Sequence, residues 1–395
     1  MTQPPLVRSF ADLVPGPHER DQPVVTLFSG GLDSSYLLYR LKRAGFRNIH
    51  AVGVDLGAGD GPDPELVADR LGVRMHVLDG RREFAADYVR PAIAAQAVYL
   101  GTHPISSSLS RPLIAELALR VATGLGAWGV LHSANRSQNT LRRLNGALGL
   151  LGCACRYGSP YEADPVGREE KTRALEEAGL VAMGKRPTSV DANLWCREFE
   201  SGVLEDPEEH TVPEHLYRWS VRRPTPDDTT VAIGFTEGVP TSLDGVGMPL
   251  PDLIAALNRT AGAYGIGRYS GLEHLPGGQK VLELREMPAA ALLLPSYRHL
   301  ETAVLDAELV REKMHLEQLW VREALEGRWF GPLRQASQAF IDSCAVRVTG
   351  TVRWRLRPGA AETRSIVAAS PLYLRNREDW ERASAAPGDR QDPAP

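Results

Sequence analysis

The sequence predicts an α/β protein: a Rossmann-like, parallel-sheet nucleotide-binding domain followed by a second, α+β domain. Three observations predict it. A β-prone run, Val24-Val25-Thr26-Leu27-Phe28, leads through Ser29-Gly30-Gly31 into Tyr36-Leu37-Leu38-Tyr39-Arg40-Leu41-Lys42, whose apolar residues recur at helical spacing. Strand-like and helix-like segments then alternate through short connections as far as His132, the pattern of parallel βαβ units. Beyond about residue 175 that alternation stops, and strands mix with amphipathic helices.

The chain divides accordingly. Residues 1–22, Pro-rich and polar, read as a flexible arm. Residues 23–175 form the nucleotide-binding domain, 176–383 an α+β domain for substrate and oligomer contacts, and 384–395, rich in Ala, Pro and Asp, a disordered tail. After the glycine turn, residues 49–56 are a second strand running into Gly57-Ala58-Gly59-Asp60-Gly61, 64–71 a helix and 74–79 a third strand. Residues 82–99 read as helical, 111–124 as a helix and 129–132 as a strand. Segments 29–35, 54–57 and 132–139 fall at C-terminal strand ends, where such sheets collect ligands. In the second domain, 230–235 is a strand, 251–262 an amphipathic helix and 304–327 a long helix, and 347–356 alternates like a half-exposed strand.

Composition narrows the class. With 395 residues, 43% hydrophobic and 24% charged, the chain can build two sizeable cores. A net charge of −4 and a pI near 6.2 argue against a nucleic-acid surface and hence against a tRNA-modifying role. No apolar run reaches the length of a membrane span, and no h-region follows Met1. The four cysteines (Cys153, Cys155, Cys196, Cys344) read as reduced, buried thiols. The expectation is a cytoplasmic protein.

The glycine turn carries the chemistry. Gly30 and Gly31 let backbone approach a ligand with no Cβ between. The turn's N–H groups and the positive end of the next helix form a phosphate cradle. Ser29, Ser34 and Ser35 add hydroxyls, and Asp33 is placed to hold Mg²⁺ against the phosphates. A Walker loop would require Gly-Lys-Ser/Thr, and no Lys follows here; a dinucleotide fingerprint would require a third glycine. Asp55 either contacts ribose or merely ends its strand.

The string Ser29-Gly30-Gly31-Leu32-Asp33-Ser34 resembles the pyrophosphate loop of the N-type ATP pyrophosphatases. Over roughly residues 23–380 the chain resembles argininosuccinate synthase. The similarity rests on that loop, Arg90-Pro91-Ala92-Ile93, Ser108-Leu109-Ser110-Arg111-Pro112, Ser189-Val190-Asp191-Ala192-Asn193-Leu194-Trp195 and Gly202-Val203-Leu204-Glu205-Asp206-Pro207. Further matches are Gly265-Ile266-Gly267-Arg268, Arg347-Val348-Thr349-Gly350-Thr351-Val352 and Ser370-Pro371-Leu372-Tyr373.

The resemblance implies an AMP-forming carbon–nitrogen ligase using ATP and Mg²⁺. A ureido or carbonyl oxygen attacks the α-phosphorus, diphosphate leaves, and an amino-acid amine displaces AMP. It implies nucleotide contacts from Leu27, Phe28, Ser29, Gly30, Gly31, Leu32, Asp33, Ser34, Ser35, Val54 and Ser133. Asp33 and Arg143 are its catalytic candidates, with Asp33 the metal ligand. Ser108, Arg143, Ser189 and Glu273 match positions of the family's citrulline pocket. His103 and Arg285 replace family tyrosines there, and Glu198 replaces a serine. In the aspartate segment, Asn135 replaces a threonine, Asn139 is kept, and Thr140 replaces an Asp.

A site built for one polar substrate rejects a mismatched one by factors of about 10⁴ or more. These exchanges therefore point to amino-acid substrates of which at least one has changed. Genuine argininosuccinate synthesis, or a nucleotide-binding homologue without catalysis, stand as alternatives. The family's tetramers imply a homo-oligomer, dimer or tetramer, with no membrane or nucleic-acid partner.

Overall fold

The computed structural model describes residues 5–57, 64–179, 189–223 and 226–385. Its first sheet has six parallel strands: β1 (Leu6–Val7), β2 (Val24–Leu27), β3 (Ile49–Asp55), β4 (Arg74–Asp79), β5 (Gly129–Leu131) and β6 (Arg156–Gly158). Their spatial order is β1-β6-β5-β2-β3-β4. β2 is fully buried, as its mostly apolar run (Val24, Val25 and Leu27 around Thr26) suits a strand covered on both faces. Helices α1 (Leu32–Arg43), α2 (Ser107–Leu125), α3 (Asn139–Leu150) and α4 (Arg168–Glu177) belong to this domain.

Several expectations are corrected. The stretch read as a flexible arm contributes the edge strand β1, and Phe10 packs edge-on against Tyr36 and Tyr161. Apolar Leu6, Val7, Phe10 and Leu13 are spaced too irregularly to announce an element, yet they reach the first core. The boundary expected at 175 falls inside α4 (Arg168–Glu177), whose Leu175 shares a buried cluster with Leu37 and Leu41. Helical structure from Arg81 stops at Ala94. Residues 98–104 form a small hairpin instead, turned by Leu100 and Gly101 at positive φ. Of the glycine-rich stretch that follows β3, only Gly57 is among the described residues; 58–63 lie outside them, as does most of the tail, 386–395. Ser384 and Ala385, expected in that tail, end a helix, Arg377–Ala385.

The second domain holds two antiparallel sheets. One has four strands, β7 (Ser189–Ala192), β8 (Arg197–Glu200), β9 (Arg268–His274) and β10 (Lys280–Glu286), in the order β9-β10-β8-β7. The other has five, with Thr229–Thr236 paired to Gly350–Arg357 and that to Ala360–Ala368. The long helix expected over 304–327 begins later, as α6 (Ala307–Leu325), because α5 (Pro288–Val304) ends just before it. Asp306 caps α6 by accepting from the Leu309 N–H at 2.9 Å.

A continuous apolar cluster runs from Phe84, Leu109 and Leu113 to Trp195, Leu293 and Trp320, and so joins the domains. The 189–195 motif makes the polar join. The Leu194 N–H donates to the Leu56 carbonyl at 2.7 Å, and Asn193 Nδ2 to Ser106 Oγ at 3.0 Å. Arg111 pairs with Asp191, so two strings far apart in sequence meet at one point. Cys153, Cys196 and Cys344 are buried free thiols, while Cys155 is half-buried.

Candidate active site

The loop between β2 and α1 has the conformation its glycines suggest. Gly30 sits at φ +70°, and Gly31 enters α1 in extended geometry with no side-chain cap. The opening N–H groups of α1 are thus left to a ligand or solvent. Ser34 Oγ donates to the Gly31 carbonyl at 3.0 Å and lies 3.4 Å from Ser29 Oγ. Val54 is half-buried at the end of β3, and Ser133 half-buried after β5. Asp55 accepts from the Gly57 N–H at 2.8 Å and faces Arg81 at 3.6 Å, so it closes its strand end.

Asp33, the expected metal ligand, is bonded to a lysine. Its Oδ1 receives Lys171 Nζ at 2.5 Å. Among the described residues, no group of three or more His, Cys, Asp or Glu is arranged to hold a metal. Mg²⁺ is ordinarily held by one or two carboxylates together with substrate phosphates, so an ion carried in by the nucleotide would share Asp33 with Lys171.

The second constellation is a polar cavity at the domain junction, lined in part by Tyr99, His103, Ser108, Arg143, Glu273 and Arg285, with a free volume of about 10 Å³. That is about one water. Arg143, on α3, is 3% exposed. Its Nη2 donates to Glu273 Oε1 at 2.9 Å, its Nη1 to Ser107 Oγ at 2.7 Å and its Nε to the Leu325 carbonyl at 3.3 Å. Arg142, equally plausible in sequence, points outward to Glu326 at 3.2 Å.

Two glycines make this placement possible. A Cβ on Gly146 would lie 2.3 Å from the Gly327 carbonyl oxygen, and one on Gly327 would lie 2.3 Å from that of Arg142. The backbone after α6 therefore presses directly on α3.

Arg285 sits at the other side. β8 and β10 place Glu198 opposite it, and Nε donates to Glu198 Oε2 at 3.2 Å. Its Nη2 is bonded to Glu283 and lies 3.7 Å from Glu273 Oε2. Asn139 Nδ2 donates to Glu273 Oε1 at 3.1 Å and to the His274 carbonyl at 2.9 Å. Three buried polar atoms of this group lack a hydrogen-bond partner among the described residues: Ser108 Oγ, Asn139 Oδ1 and Arg285 Nη1. Unpaired buried donors and acceptors are costly, and a cleft is where a ligand satisfies them.

Charge states follow from burial and neighbours. Burial alone would raise Glu273, but the hydrogen bond from Glu283 and the Arg143 and Arg285 charges outweigh it and hold it near 2. Burial raises Glu198 against the opposing pull of Arg285. Glu283 goes well above the usual carboxyl range, by burial and then the charge of Glu198, and is the protonated member that donates to Glu273.

His103 is lowered to about 3, by burial and then by Arg285; His132, bonded to Asn145 Oδ1, is lowered to about 4 by burial. Both histidines are neutral when folded, whereas the unfolded chain takes up protons near pH 6.5. Stability is therefore lost as pH falls from about 6.5 through those values. In urea titrations, His132→Asn is expected to flatten this acid limb by a contribution on the order of 3 kcal/mol; an unchanged slope would contradict the neutral assignment.

Not every expected substrate residue joins the cavity. His103, Ser108, Arg143, Glu273 and Arg285 line it; Asn139 and Glu198 touch it through Glu273 and Arg285. Asn135 is engaged locally, accepting from Ser137 Oγ at 2.6 Å. Thr140 is half-buried at the start of α3, and Ser189 is exposed opposite Glu200. Sequence reasoning misses Ser107, Glu283 and Lys171. Ser107 adjoins a quoted motif, and Glu283 shares a strand face with Arg285 two residues away. Lys171 carries no local signal.

The fold and loop define the class: a HUP-type α/β nucleotide-binding domain joined to a second, substrate-side domain. Residues 23–171 match the arginosuccinate synthase N-terminal HUP domain, and 188–385 the arginosuccinate synthase C-terminal domain. The chain belongs to the argininosuccinate synthase family, and with it to the ATP-dependent carbon–nitrogen ligases that release AMP and diphosphate. It is 37% identical to the argininosuccinate synthase of Symbiobacterium thermophilum over 367 residues, 91% of each chain. It is 36% identical to that of Rubrobacter xylanophilus, over 91% of this chain and 89% of the relative. With that of Dictyoglomus turgidum it shares 37% identity over 86% of each. No helix among the described residues is long and apolar enough to cross a membrane.

Proposed function

We propose that this protein activates an amino-acid-like acceptor other than citrulline by transfer of AMP from ATP and then joins it to an amino-acid amine. One observation carries the change of acceptor: Arg285, in the cavity wall, is buried and bonded to both Glu198 and Glu283. Two of them stand where the resemblance places an uncharged tyrosine and serine.

The chemistry needs no covalent nucleophile. The loop from Ser29 to Ser35 holds the polyphosphate, so that the acceptor oxygen meets the α-phosphorus in line and diphosphate departs. Arg143 offers a fork for a carboxylate and Glu273 a partner for an ammonium. Each now holds the other, so an amino-acid head group exchanges one ion pair for two. Asn139 Oδ1 and Ser108 Oγ supply the remaining polar contacts. When Mg²⁺ accompanies the nucleotide, it offsets phosphate charge. Substrates are small amino acids, in the reading of a cytoplasmic homo-oligomer.

A second reading is supported by the kept Ser108, Arg143, Ser189 and Glu273 and by 37% identity over 91% of the chain: genuine argininosuccinate synthesis from citrulline and aspartate. AMP formation from labelled ATP separates the two. Purified protein is offered a matrix of amino-acid and ureido acceptors against amino-acid amines. The expected result is AMP only where an acceptor is present, with an acceptor other than citrulline the best. No AMP in any combination would favour a nucleotide-binding homologue without turnover.

A further inference from the structure

We infer that Lys171 is the phosphate-facing cation of the nucleotide loop, its ammonium bridging Asp33 and the diphosphate end of ATP. This rests on the reading that the loop binds the triphosphate. Lys171 is 9% exposed, while the neighbouring Arg168, Glu169 and Glu170 in the first turn of α4 are exposed. Its Nζ lies 2.5 Å from Asp33 Oδ1 and 5.6 Å from the centroid of the Tyr161 ring. Tyr161 Oη donates to the Asp33 carbonyl at 2.8 Å, which fixes the ring under the ammonium and against the start of α1. Tyr161 is itself held by a short helix capped by Ser159.

An ammonium taken out of water needs partners. These two orient it beside the turn formed by Gly30 and Gly31. A carboxylate alone in the first turn of α1 would repel an incoming polyphosphate; paired, it does not. Lysine carries three donors, and Asp33 occupies one. The others are available to phosphate oxygens, for which a compact point charge is well suited. The protein thereby neutralises the leaving diphosphate with its own residue, and Asp33 serves to position Lys171.

The test is calorimetric binding of ATP, inorganic diphosphate and AMP to the full chain in excess EDTA. Lys171→Met is expected to weaken ATP and diphosphate at least tenfold and to leave AMP within twofold; Lys171→Arg should recover most of the loss. Asp33→Asn, which keeps an oxygen to orient the ammonium but removes the carboxylate charge that competes with phosphate, should bind diphosphate at least threefold more tightly, and it keeps the test decisive if Lys171→Met does not fold. Equal weakening of AMP and ATP by Lys171→Met, or weaker diphosphate binding by Asp33→Asn, would overturn the role. Wild-type protein that binds no ATP would overturn the nucleotide reading together with it. Wild-type binding matched by Lys171→Met would overturn this inference alone.

Discussion

Arg285→Leu is expected to destabilise the protein by about 3–5 kcal/mol, the cost of leaving buried carboxyl groups without their cation. Arg285 is 3% exposed and bonds both Glu198 and Glu283. A Leu fills the volume but answers neither. The charged form of Glu198, already disfavoured by burial, loses its main support, beside a Glu283 that burial already holds protonated. Combining Arg285→Leu with Glu198→Ser removes one stranded carboxyl together with its cation. The double variant is expected to recover a large part of the loss. Urea unfolding of the four proteins gives the coupling directly. Simple additivity of the two changes would show that the pair is not energetically linked, and would remove the argument that it shapes the cavity as a unit.

Gly327→Ala should cost about 2–5 kcal/mol and lower turnover on the order of a hundredfold. Gly327 has φ +75°, where a Cβ is strained, and that Cβ would meet the Arg142 carbonyl oxygen at 2.3 Å and the Arg143 Cα at 2.9 Å. The neighbours are backbone, so α3 must shift, and Arg143 moves with it. Displacement of a positioning group by about 1 Å costs roughly that factor in rate. Gly101→Ala is the control: φ is +74°, but nothing lies within 4 Å of the added Cβ. It should lose only about 1 kcal/mol. Equal effects in the two variants would mean that close packing at α3 is unimportant.

Much of this was legible in the sequence because it is local. The Ser-Gly-Gly turn between an apolar run and a helical repeat declares β2, its loop and α1 without reference to anything distant. The alternation that follows declares a parallel sheet, although not the strand order. What escaped was of two kinds. Some elements depend on single backbone conformations: the hairpin at 98–104 turns on Leu100 and Gly101, and α6 starts late because Asp306 caps it. Other features depend on contacts across the fold.

The adjacent arginines 142 and 143 are indistinguishable until α3 is docked, when a glycine contact decides which one is buried. Lys171 meets Asp33 across 138 positions of sequence, and no spacing rule anticipates that pair. Likewise, Glu198 and Arg285 could be read as two opposite charges in one pocket, but their cross-strand register and the third member, Glu283, come only with the sheet.

The change of acceptor is the claim on which the proposed function turns. Diphosphate release by the wild-type protein, with ATP, citrulline and aspartate all saturating, tests it most directly. The account predicts release no faster than with ATP alone, and a rise of at least a hundredfold when the preferred acceptor replaces citrulline. Sustained turnover on citrulline and aspartate would contradict it.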